Sequence, residues 1–287
     1  MSTPRFDARS FCPVCGGKGI IFDRRRLTKW MHQNFLCESC GMVWVFPQKP
    51  KNVYQAFYRG QYTRDVYGLD QHEKAQDVLA WRTRRSLEKI GYAKGFWKKG
   101  MCVLEVGAGT GAFLAALRKK FGCRVWGIEP AVAFVSLARE MLYISLYQGT
   151  FASWTKKRPG AFPKKFDRIV LDQVLEHILD PLDFLSRVRT LLTTQGALFI
   201  SVPNIAEPKE PRGKFFIFEH VSSFSPFPLA LLLLRAGYKV TGLYPEHPGS
   251  LQVTAAPFSS HAPSVPWNEI GLPLSSEDIK RKFVALD

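Results

Sequence analysis

Four cysteines occur as two matched pairs near the start of the chain. Cys12 and Cys15 form CPVC, Cys37 and Cys40 form CESC, and a glycine directly follows each pair. Two such turns offer four thiolates in a tetrahedron, which is the coordination that structural zinc prefers. Since four cysteines leave no open position, the pattern predicts a structural Zn²⁺. A redox pair or four free thiols is the alternative, and His32 is a further candidate ligand that the tetrahedron does not need.

A glycine-rich turn carries the second chemical signal. Residues 101–130 read MCVLEVGAGTGAFLAALRKKFGCRVWGIEP. A strand, a turn with Gly107, Gly109 and Gly111, an apolar helix and a second strand form the opening of a nucleotide-binding βαβ unit. The glycines let the backbone approach a ligand at the helix N-terminus. Glu129, 20 residues beyond Gly109, is placed to accept hydrogen bonds from two ribose hydroxyls.

The glycine spacing and the acid before it narrow the class of ligand. The pattern G-x-G-x-G differs from the dinucleotide fingerprint G-x-G-x-x-G. Glu105 lies two residues before the first glycine, where an acid opposes a pyrophosphate. A cationic ligand tolerates this acid.

The elements that must position these residues alternate between strand and helix. Residues 167–171 and 197–202 are short runs of Ile, Val, Leu and Phe, typical of parallel strands buried on both faces. Between them, apolar residues over 184–192 recur at helical spacing, with Asp180 as the N-cap and Pro181 at the first helical position. The alternation predicts a doubly wound α/β sheet.

Composition and charge bound the functional class. Lys and Arg number 40 against 24 for Asp and Glu, giving a net charge of +16 that favours an anionic partner. Residues 1–100 hold 19 of the basic side chains and 8 of the acidic ones. The run 229–234 is far shorter than the roughly 20 residues that span a bilayer, and the N-terminus lacks a signal peptide pattern. We therefore expect a cytoplasmic protein without a membrane segment.

Several segments together resemble one enzyme family. LEVGAGTGAF resembles the first motif of the class I S-adenosylmethionine-dependent methyltransferases. Residues 165–204 are similar to the family's fourth strand, following helix and fifth strand, residues 219–240 to its last helix and sixth strand, and residues 250–257 to its antiparallel seventh strand. The resemblance covers 96–257. It implies a Rossmann-like seven-stranded methyltransferase sheet, with the last strand antiparallel, that binds S-adenosyl-L-methionine.

The N-terminal part resembles a subgroup of that family. CESCGMVWVFPQKPKNVYQAFYRGQY is similar to the segment that joins an N-terminal zinc ribbon to the methyltransferase domain. The expected organisation is a four-cysteine zinc ribbon over 1–48, a helical linker or cap over 49–95, the methyltransferase domain over 96–257 and an irregular tail over 258–287.

The resemblance implies a role for each residue of the expected cofactor site. Glu105 orients the methionine amine, the backbone of the glycine turn lines the path of the cofactor, and Glu129 holds the ribose. Gln173 meets the methionine portion. Phe151 is either a neighbour of the adenine ring or a plain core residue. The expected cofactor residues are Glu105, Gly107, Ala108, Gly109, Gly111, Glu129, Pro130, Thr150, Phe151 and Gln173.

Two histidines are the candidates for a general base. His177 and His220 both fall at the expected rim of the active site, and either titrates near neutrality when unperturbed. His177 has the alternative role of packing behind the strand, so His220 is the stronger candidate and Glu219 the weaker one.

The acceptor is the least constrained part. The subgroup suggests methyl transfer to an O or C atom of a small, anionic or sugar-like metabolite. The basic N-terminal third, with Arg24, Arg25, Arg26 and Arg82, leaves a second hypothesis, in which the ribbon holds a nucleic acid for methylation. In a third hypothesis, the protein binds the cofactor without catalysis.

Overall fold

A computed structural model describes residues 11–27, 30–68, 72–157, 159–244, 249–284 and 286. The first ten residues of the predicted ribbon lie outside this part of the chain. The strands are β1 (Gly19–Leu27), β2 (Trp30–Cys37), β3 (Val43–Val45), β4 (Cys102–Val106), β5 (Arg124–Glu129), β6 (Leu146–Gln148), β7 (Phe166–Asp172), β8 (Leu192–Pro203), β9 (Ser222–Ser223), β10 (Tyr238–Tyr244) and β11 (Ser250–Pro257). The helices are α1 (Lys51–Ala56), α2 (Tyr62–Tyr67), α3 (His72–Tyr92), α4 (Ala112–Phe121), α5 (Val132–Leu142), α6 (Phe151–Lys157), α7 (Pro181–Arg189), α8 (Arg212–Phe215), α9 (Pro226–Arg235), α10 (Trp267–Ile270) and α11 (Ser276–Val284), with a π-helical turn at Phe57–Gln61 and a 3₁₀ turn at Leu175–His177.

Seven strands of the described chain form one sheet in the order β10-β11-β8-β7-β4-β5-β6. The five strands from β8 to β6 in this order run parallel, whereas β11 is antiparallel to both of its neighbours. The predicted α/β class, a Rossmann-like seven-stranded sheet with its last strand antiparallel, is confirmed. The chain leaves β4 toward β5 and β6 and then returns to β7, so the carboxyl ends of β4 and β7 flank the switch point at which such sheets bind ligands.

Burial explains why the central strands are apolar. Every residue of β4 is buried, and so are residues 197–202 of β8. Helices cover both faces of a parallel sheet, so its strands read as continuous hydrophobic runs. The hydrophobic core therefore lies on both sides of the sheet, and the polar groups that could bind a ligand are left at its carboxyl edge.

α7 begins at its predicted N-cap, and α9 begins and ends where its prolines and glycine predicted. The Asp180 carboxylate accepts a hydrogen bond from the backbone N–H of Asp183 at 3.0 Å, and Pro181 is the first residue of α7. α9 begins at Pro226, and Gly237 follows it in the left-handed conformation. Within the described residues, no helix has the length and apolarity that a membrane crossing requires.

The end of α7 differs from the prediction. The apolar spacing over 184–192 predicts helix as far as Leu192, but α7 ends at Arg189 and Leu192 begins β8. The Thr190 hydroxyl donates a hydrogen bond to the Arg187 carbonyl at 2.8 Å and closes the last turn. Because a helix and a strand can bury the same leucine, the spacing alone cannot locate this boundary.

The four-cysteine ribbon is joined to the domain by a strand from a distant part of the chain. β1, β2 and β3 are antiparallel neighbours, and β9 pairs with β3 to complete a four-stranded sheet. The Val45 N–H donates to the Val221 carbonyl at 3.0 Å, and the Arg235 guanidinium donates to the Val14 carbonyl. The ribbon therefore packs as a continuous part of the domain.

Residues 49–95, predicted as a helical linker or cap, consist of α1, the π-helical turn, α2 and α3 in the described part. α3 packs against α4 and buries Ser86, Lys89 and Ile90. The π-helical turn is a rare geometry that occurs most often at functional sites. It carries Tyr58 toward the carboxyl edge of the sheet.

The C-terminal segment corrects the prediction of an irregular tail over 258–287. It contains α10 and α11, and Ile279 and Phe283 of α11 are fully buried in one cluster with side chains of β2, β3 and α8. Ser275 and Asp278 form a capping box, because each side chain accepts a hydrogen bond from the other's backbone N–H. The capping residues and the apolar pair Ile279 and Phe283 are present in the sequence. A helix of nine residues is stable, however, only when it packs against another part of the protein.

Candidate functional site

A cavity of about 1140 Å³ opens at the carboxyl ends of β4, β5 and β7. It is lined by the glycine turn, α3, the π-helical turn, the 3₁₀ turn and the segment before β9. We call its two parts the glycine end and the histidine end. The glycine end comprises Glu105, Gly107, Ala108, Gly109 and Glu129, and the histidine end comprises Tyr58, Glu176, His177, Glu219 and His220.

The glycine turn is folded by its own backbone hydrogen bonds. The N–H groups of Gly107 and Ala108 donate to the Ile128 carbonyl at 2.8 and 3.0 Å, which ties the turn to β5. Gly107 has φ 71°, and a Cβ there would lie 2.5 Å from Cγ2 of Val174. Gly111, with φ 73°, precedes α4. The turn thus needs glycine for conformation and for space.

Glu129, at the end of β5, is held by two backbone donors. Its carboxylate oxygens accept hydrogen bonds from the N–H groups of Gly109 and Ala131, each at 2.8 Å. Burial raises the pKa of this carboxyl, and the two hydrogen bonds act in the opposite direction. Each oxygen retains a lone pair, so the geometry allows the expected contact with ribose hydroxyls.

Glu105 is a buried acid whose charge is poorly compensated. The side chain is 3% exposed, and its Oε2 has no hydrogen-bond partner among the described residues. Burial, with the nearby charge of Asp172, raises the pKa of this carboxyl well above its usual value. A buried polar group without a partner is unfavourable. A cationic ligand beside Glu105 would remove this cost.

The residues after β5 and β6 form the next wall of the cavity. The Gly149 N–H donates to the Glu129 carbonyl at 2.9 Å, which brings Thr150 and Phe151 to the cavity beside Pro130. Phe151 also packs edge-to-face on another core ring, with 5.0 Å between ring centroids. It therefore lines the cavity and belongs to the core at the same time.

Gln173 follows β7 in the left-handed region, with φ 55°. Its N–H donates to the Ser201 carbonyl at 2.8 Å, and its Nε2 donates to the Ser201 hydroxyl at 3.3 Å. The residue lines the cavity, but its side chain is turned toward β8. Its expected contact with the cofactor remains a prediction.

His177 and His220 come from distant segments and meet at the histidine end. Their ring centroids are 5.1 Å apart. The Nδ1 of His177 lies 3.0 Å from the Glu219 carbonyl oxygen, and that of His220 lies 2.9 Å from the Phe215 carbonyl oxygen. Because a carbonyl oxygen only accepts, each Nδ1 donates its proton and each Nε2 keeps a lone pair.

Burial keeps both imidazoles neutral at pH 7. It lowers the pKa of His177 to about 4 and, together with the neighbouring His177, lowers that of His220 to about 3. Burial also raises the pKa of the Glu219 carboxyl. A neutral Nε2 can accept a hydrogen bond or bind a metal, but so low a pKa makes it a weak base.

The four cysteines form a separate cluster at the ribbon. Their sulfur atoms lie within 4.8 Å of one another, with 3.6 Å between the sulfurs of Cys12 and Cys40 and 3.3 Å between those of Cys15 and Cys37. Four thiolates about 2.3 Å from one zinc ion lie about 3.8 Å apart, so the donor set fits zinc. His32 is buried outside this cluster.

A family model described as a methyltransferase domain matches residues 72–243, which is more than half of the chain. The chain belongs to this methyltransferase family. The resemblance to the class I S-adenosylmethionine-dependent methyltransferases is confirmed. The match begins at α3, so it includes the helix that covers the glycine end.

Two curated methyltransferases illustrate the similarity. The chain is 36% identical over 107 residues to a ubiquinone biosynthesis O-methyltransferase of Histophilus somni, covering 36% of the chain and 44% of that protein. It is 31% identical over 228 residues to the C-methyltransferase NovU of Streptomyces niveus, covering 77% of the chain and 50% of that protein. The chain thus spans about half the length of the curated relatives it matches.

Solved methyltransferase structures share the fold at low identity. The N,N-8-amino-8-demethyl-D-riboflavin dimethyltransferase RosA of Streptomyces davawensis has a TM-score of 0.52 and 16% identity, covering 71% of the chain and 61% of RosA. The similarity supports the methyltransferase fold already seen in the strand order.

Sequence reasoning assigned Arg82 to the basic surface and gave Lys89 no role, yet both lie on the cavity side of α3. The Arg82 guanidinium carbon is 5.0 Å from the centroid of the Phe134 ring, and a Cβ on Gly109 would lie 2.7 Å from Arg82 Nη1. The Lys89 ammonium pairs with the Asp172 carboxylate at 2.5 Å. Because Arg82 and Lys89 are seven residues apart, they share one helix face, which is the signal that could have placed them.

Glu176 and Tyr58 were also missed. Glu176 is 1% exposed, and burial raises the pKa of its carboxyl to about 8. The Tyr58 ring centroid is 5.8 Å from that of His177, and its hydroxyl is buried without a hydrogen-bond partner in the described structure. The only sequence signal for Glu176 was its position next to His177. For Tyr58 there was none, because the sequence carries no signal for the π-helical turn that holds it.

Proposed function

We propose that this chain transfers a methyl group from S-adenosylmethionine to an oxygen or carbon atom of a small metabolite. The observation that carries the proposal is that the glycine end and the histidine end share one cavity. A turn suited to a nucleoside and a buried acid suited to a cation thus face two imidazoles with free lone pairs. Because the chain spans about half of its curated relatives, its activity is itself part of the proposal.

The cofactor would be held by residues of the glycine end. When bound, S-adenosylmethionine supplies a methyl group activated by a positively charged sulfur. Glu129 would accept hydrogen bonds from the ribose hydroxyls through the lone pairs that Gly109 and Ala131 leave free. Glu105 would receive the cationic portion, which would stabilise its ionised form.

The histidine end would bind the acceptor and take its proton. The free Nε2 of His220 or His177 would accept a hydrogen bond from the acceptor and hold the methyl-accepting atom in line. Transfer to that atom neutralises the sulfonium charge, so positioning and exclusion of water carry more of the catalysis than strong basicity does. This suits imidazoles whose pKa burial has lowered.

The rim of the cavity favours an anionic, sugar-like acceptor. Five basic side chains from separate elements line it. They are Lys51, Arg59, Arg187, Lys209 and Lys214. Positive charge at a cleft raises the local concentration of an anionic substrate.

A nucleic-acid acceptor has less support. Within the described part of the ribbon, Arg24 donates two hydrogen bonds to Gln33, and Arg25 pairs with Asp23 at 2.7 Å. Asp23 offsets the charge of Arg25, and Gln33 occupies two donors of Arg24, so both side chains have less to offer to phosphates. We also propose that the cysteine cluster holds a structural Zn²⁺, because its sulfur spacing fits a closed tetrahedron.

The test is calorimetric binding of S-adenosylmethionine followed by transfer of labelled methyl to pools of sugar-like and anionic metabolites. We expect saturable binding, its loss in Glu129→Ala, and transfer that is lost in His220→Ala with binding intact. Transfer to RNA that falls steeply with salt would support the nucleic-acid alternative instead. Binding without transfer to any class would leave a non-catalytic cofactor binder.

A further inference from the structure

Glu176 is a buried carboxyl that no side chain of the described chain contacts through a hydrogen bond. It lies in the 3₁₀ turn after β7, and both of its oxygens lack a hydrogen-bond partner among the described residues. The nearest ionisable side chain within ion-pair distance in the described chain is His177, whose Nε2 is 3.8 Å from Glu176 Oε1, beyond hydrogen-bond distance. An isolated buried carboxyl is unfavourable unless it is neutralised or binds a cation.

The two imidazoles beside Glu176 are oriented by their other nitrogen. Each Nδ1 lies within 3.0 Å of a backbone carbonyl oxygen, from Glu219 for His177 and from Phe215 for His220. This is the outer-shell arrangement that fixes the tautomer and ring orientation of metal-binding histidines. One nitrogen of each ring and one oxygen of Glu176 lie within 4.8 Å of one another.

The backbone joins the two segments that carry these side chains. The Val221 N–H donates to the Glu176 carbonyl at 2.8 Å, and the Val221 carbonyl accepts from Val45 of β3. The Val221–Glu176 hydrogen bond therefore holds Glu176 next to the segment of His220, and the bond from Val45 ties this segment to the ribbon sheet.

We propose that Glu176, His177 and His220 bind a divalent first-row transition metal ion through two imidazole nitrogens and one carboxylate oxygen. Ligand atoms about 2.1 Å from one ion in a tetrahedral site lie about 3.4 Å apart, so atoms that are up to 4.8 Å apart must approach each other by as much as about 1.4 Å on binding. Mixed nitrogen and oxygen ligands select transition metals over Mg²⁺, which prefers oxygen.

The proposed site differs in kind from the cysteine cluster. Three protein ligands leave an open coordination position, whereas four thiolates close the shell. The open position would face the cavity, which Tyr58 also lines. With an ion bound, the free lone pair of each imidazole would be used, so an acceptor oxygen would be positioned by the open coordination position and not by a histidine nitrogen. This part of the inference rests on the proposed function and revises the role of its histidines. Metal binding itself does not, because it is measured without cofactor or acceptor.

The test is a Co²⁺ titration of the full chain with zinc retained in the ribbon. Bound metals are counted by elemental analysis after equilibrium dialysis, and the visible absorption of Co²⁺ reports its ligands. We expect one zinc to remain and one Co²⁺ to bind without thiolate-to-metal charge transfer. Exchange into the ribbon would instead show that charge transfer and release zinc.

Glu176→Gln and His220→Gln should each weaken Co²⁺ binding at least ~10-fold, while His261→Gln, at an exposed position, should leave it unchanged. Circular dichroism checks that the variants fold. Wild-type protein that takes up no Co²⁺ beyond exchange with ribbon zinc overturns the proposal, whatever the variants do. The proposal is also overturned if Co²⁺ binds beside the ribbon zinc with the same affinity in both folded variants as in the wild-type protein. Failure of S-adenosylmethionine binding would count against the proposed function alone.

Discussion

The two ends of the cavity are built in different ways. The glycine end is one βαβ unit, in which the turn after β4 bonds to Ile128 and Glu129 of β5. The histidine end joins three segments distant in sequence, which contribute Tyr58, Glu176 with His177, and Glu219 with His220. Local hydrogen bonds therefore maintain the glycine end, whereas the histidine end depends on elements that are distant in the sequence.

The ribbon is the element on which the histidine end depends most directly. β9 follows His220 and belongs to the ribbon sheet, and Val221 bonds to both β3 and the 3₁₀ turn. The glycine end has no comparable link to the ribbon in the hydrogen bonds of the described chain. Disturbing the ribbon should therefore affect the histidine end first.

The largest expected effect is that of Cys37→Ser. Loss of one of four cysteines should remove the proposed zinc, and such binding contributes on the order of 10 kcal/mol to folding in small zinc domains. We expect residues 30–45 and 215–224 to lose hydrogen-exchange protection while 102–129 retains it. Cys102→Ser, at a buried position outside the cluster, is the matched control and should keep zinc. Equal loss of protection at both ends would contradict the comparison.

Glu129→Ala should affect the glycine end alone. It removes the acceptor of two backbone hydrogen bonds and the expected ribose contact, and hydrogen bonds to charged groups contribute about 1.5 to 3 kcal/mol each. Affinity for S-adenosylmethionine should fall roughly 100-fold in calorimetry. Glu140→Ala, at an exposed position on α5, should bind normally. A change of less than about threefold in Glu129→Ala would show that this carboxylate does not hold the cofactor.

Gly107→Ala separates the strain of the glycine turn from its crowding. Alanine at position 107 must adopt φ 71°, and its Cβ collides with Val174. Alanine at position 100 must adopt a similar φ of 76°, but its Cβ meets no atom within 4 Å. Left-handed backbone costs about 1 to 2 kcal/mol for alanine. We expect both variants to lose stability in denaturant unfolding and only Gly107→Ala to lose cofactor affinity, by about tenfold. Normal affinity in Gly107→Ala would remove the turn from the binding site.

Cofactor binding should release a proton from Glu105. Burial raises the pKa of this carboxyl in the free protein, and a bound cation lowers it again. Affinity should therefore rise with pH, by at most about tenfold per unit, until Glu105 ionises in the free protein. Calorimetry in buffers of different ionisation enthalpy measures the released proton. Glu105→Gln should abolish both effects; if they persist, another group is their source.

The smallest expected effect is that of Asp180→Ala. It removes the side-chain acceptor at the start of α7 and should lower the free energy of unfolding by about 1 kcal/mol. Asp183→Ala keeps the backbone donor of this bond and should cost less. Cofactor affinity should be unchanged, since Asp180 is not among the residues of the glycine end. A loss of affinity equal to that in Glu129→Ala would show that the two ends are coupled through α7.

Patterns confined to a few neighbouring residues were enough to predict the glycine turn, the cap of α7 and the cysteine cluster. The seven-stranded sheet with its last strand antiparallel was predicted from the family resemblance. The sequence was enough to place Arg82 and Lys89 on one face of a helix. That this face lines the cavity could be seen only from the packing of α3 in the structure. Tyr58 was beyond prediction, because a π-helical turn has no sequence pattern comparable to a cap or a glycine turn.

The sequence by itself determined the α/β class, the four-thiolate cluster and the nucleoside-type turn, because each arises from residue types at fixed short spacings. Only the tertiary structure decided that β9 completes the ribbon sheet, that α11 packs beside it, and that Glu176 meets two histidines without a partner of its own. Such contacts join residues far apart in the chain. Their free energy comes from burial and pairing that no local spacing encodes.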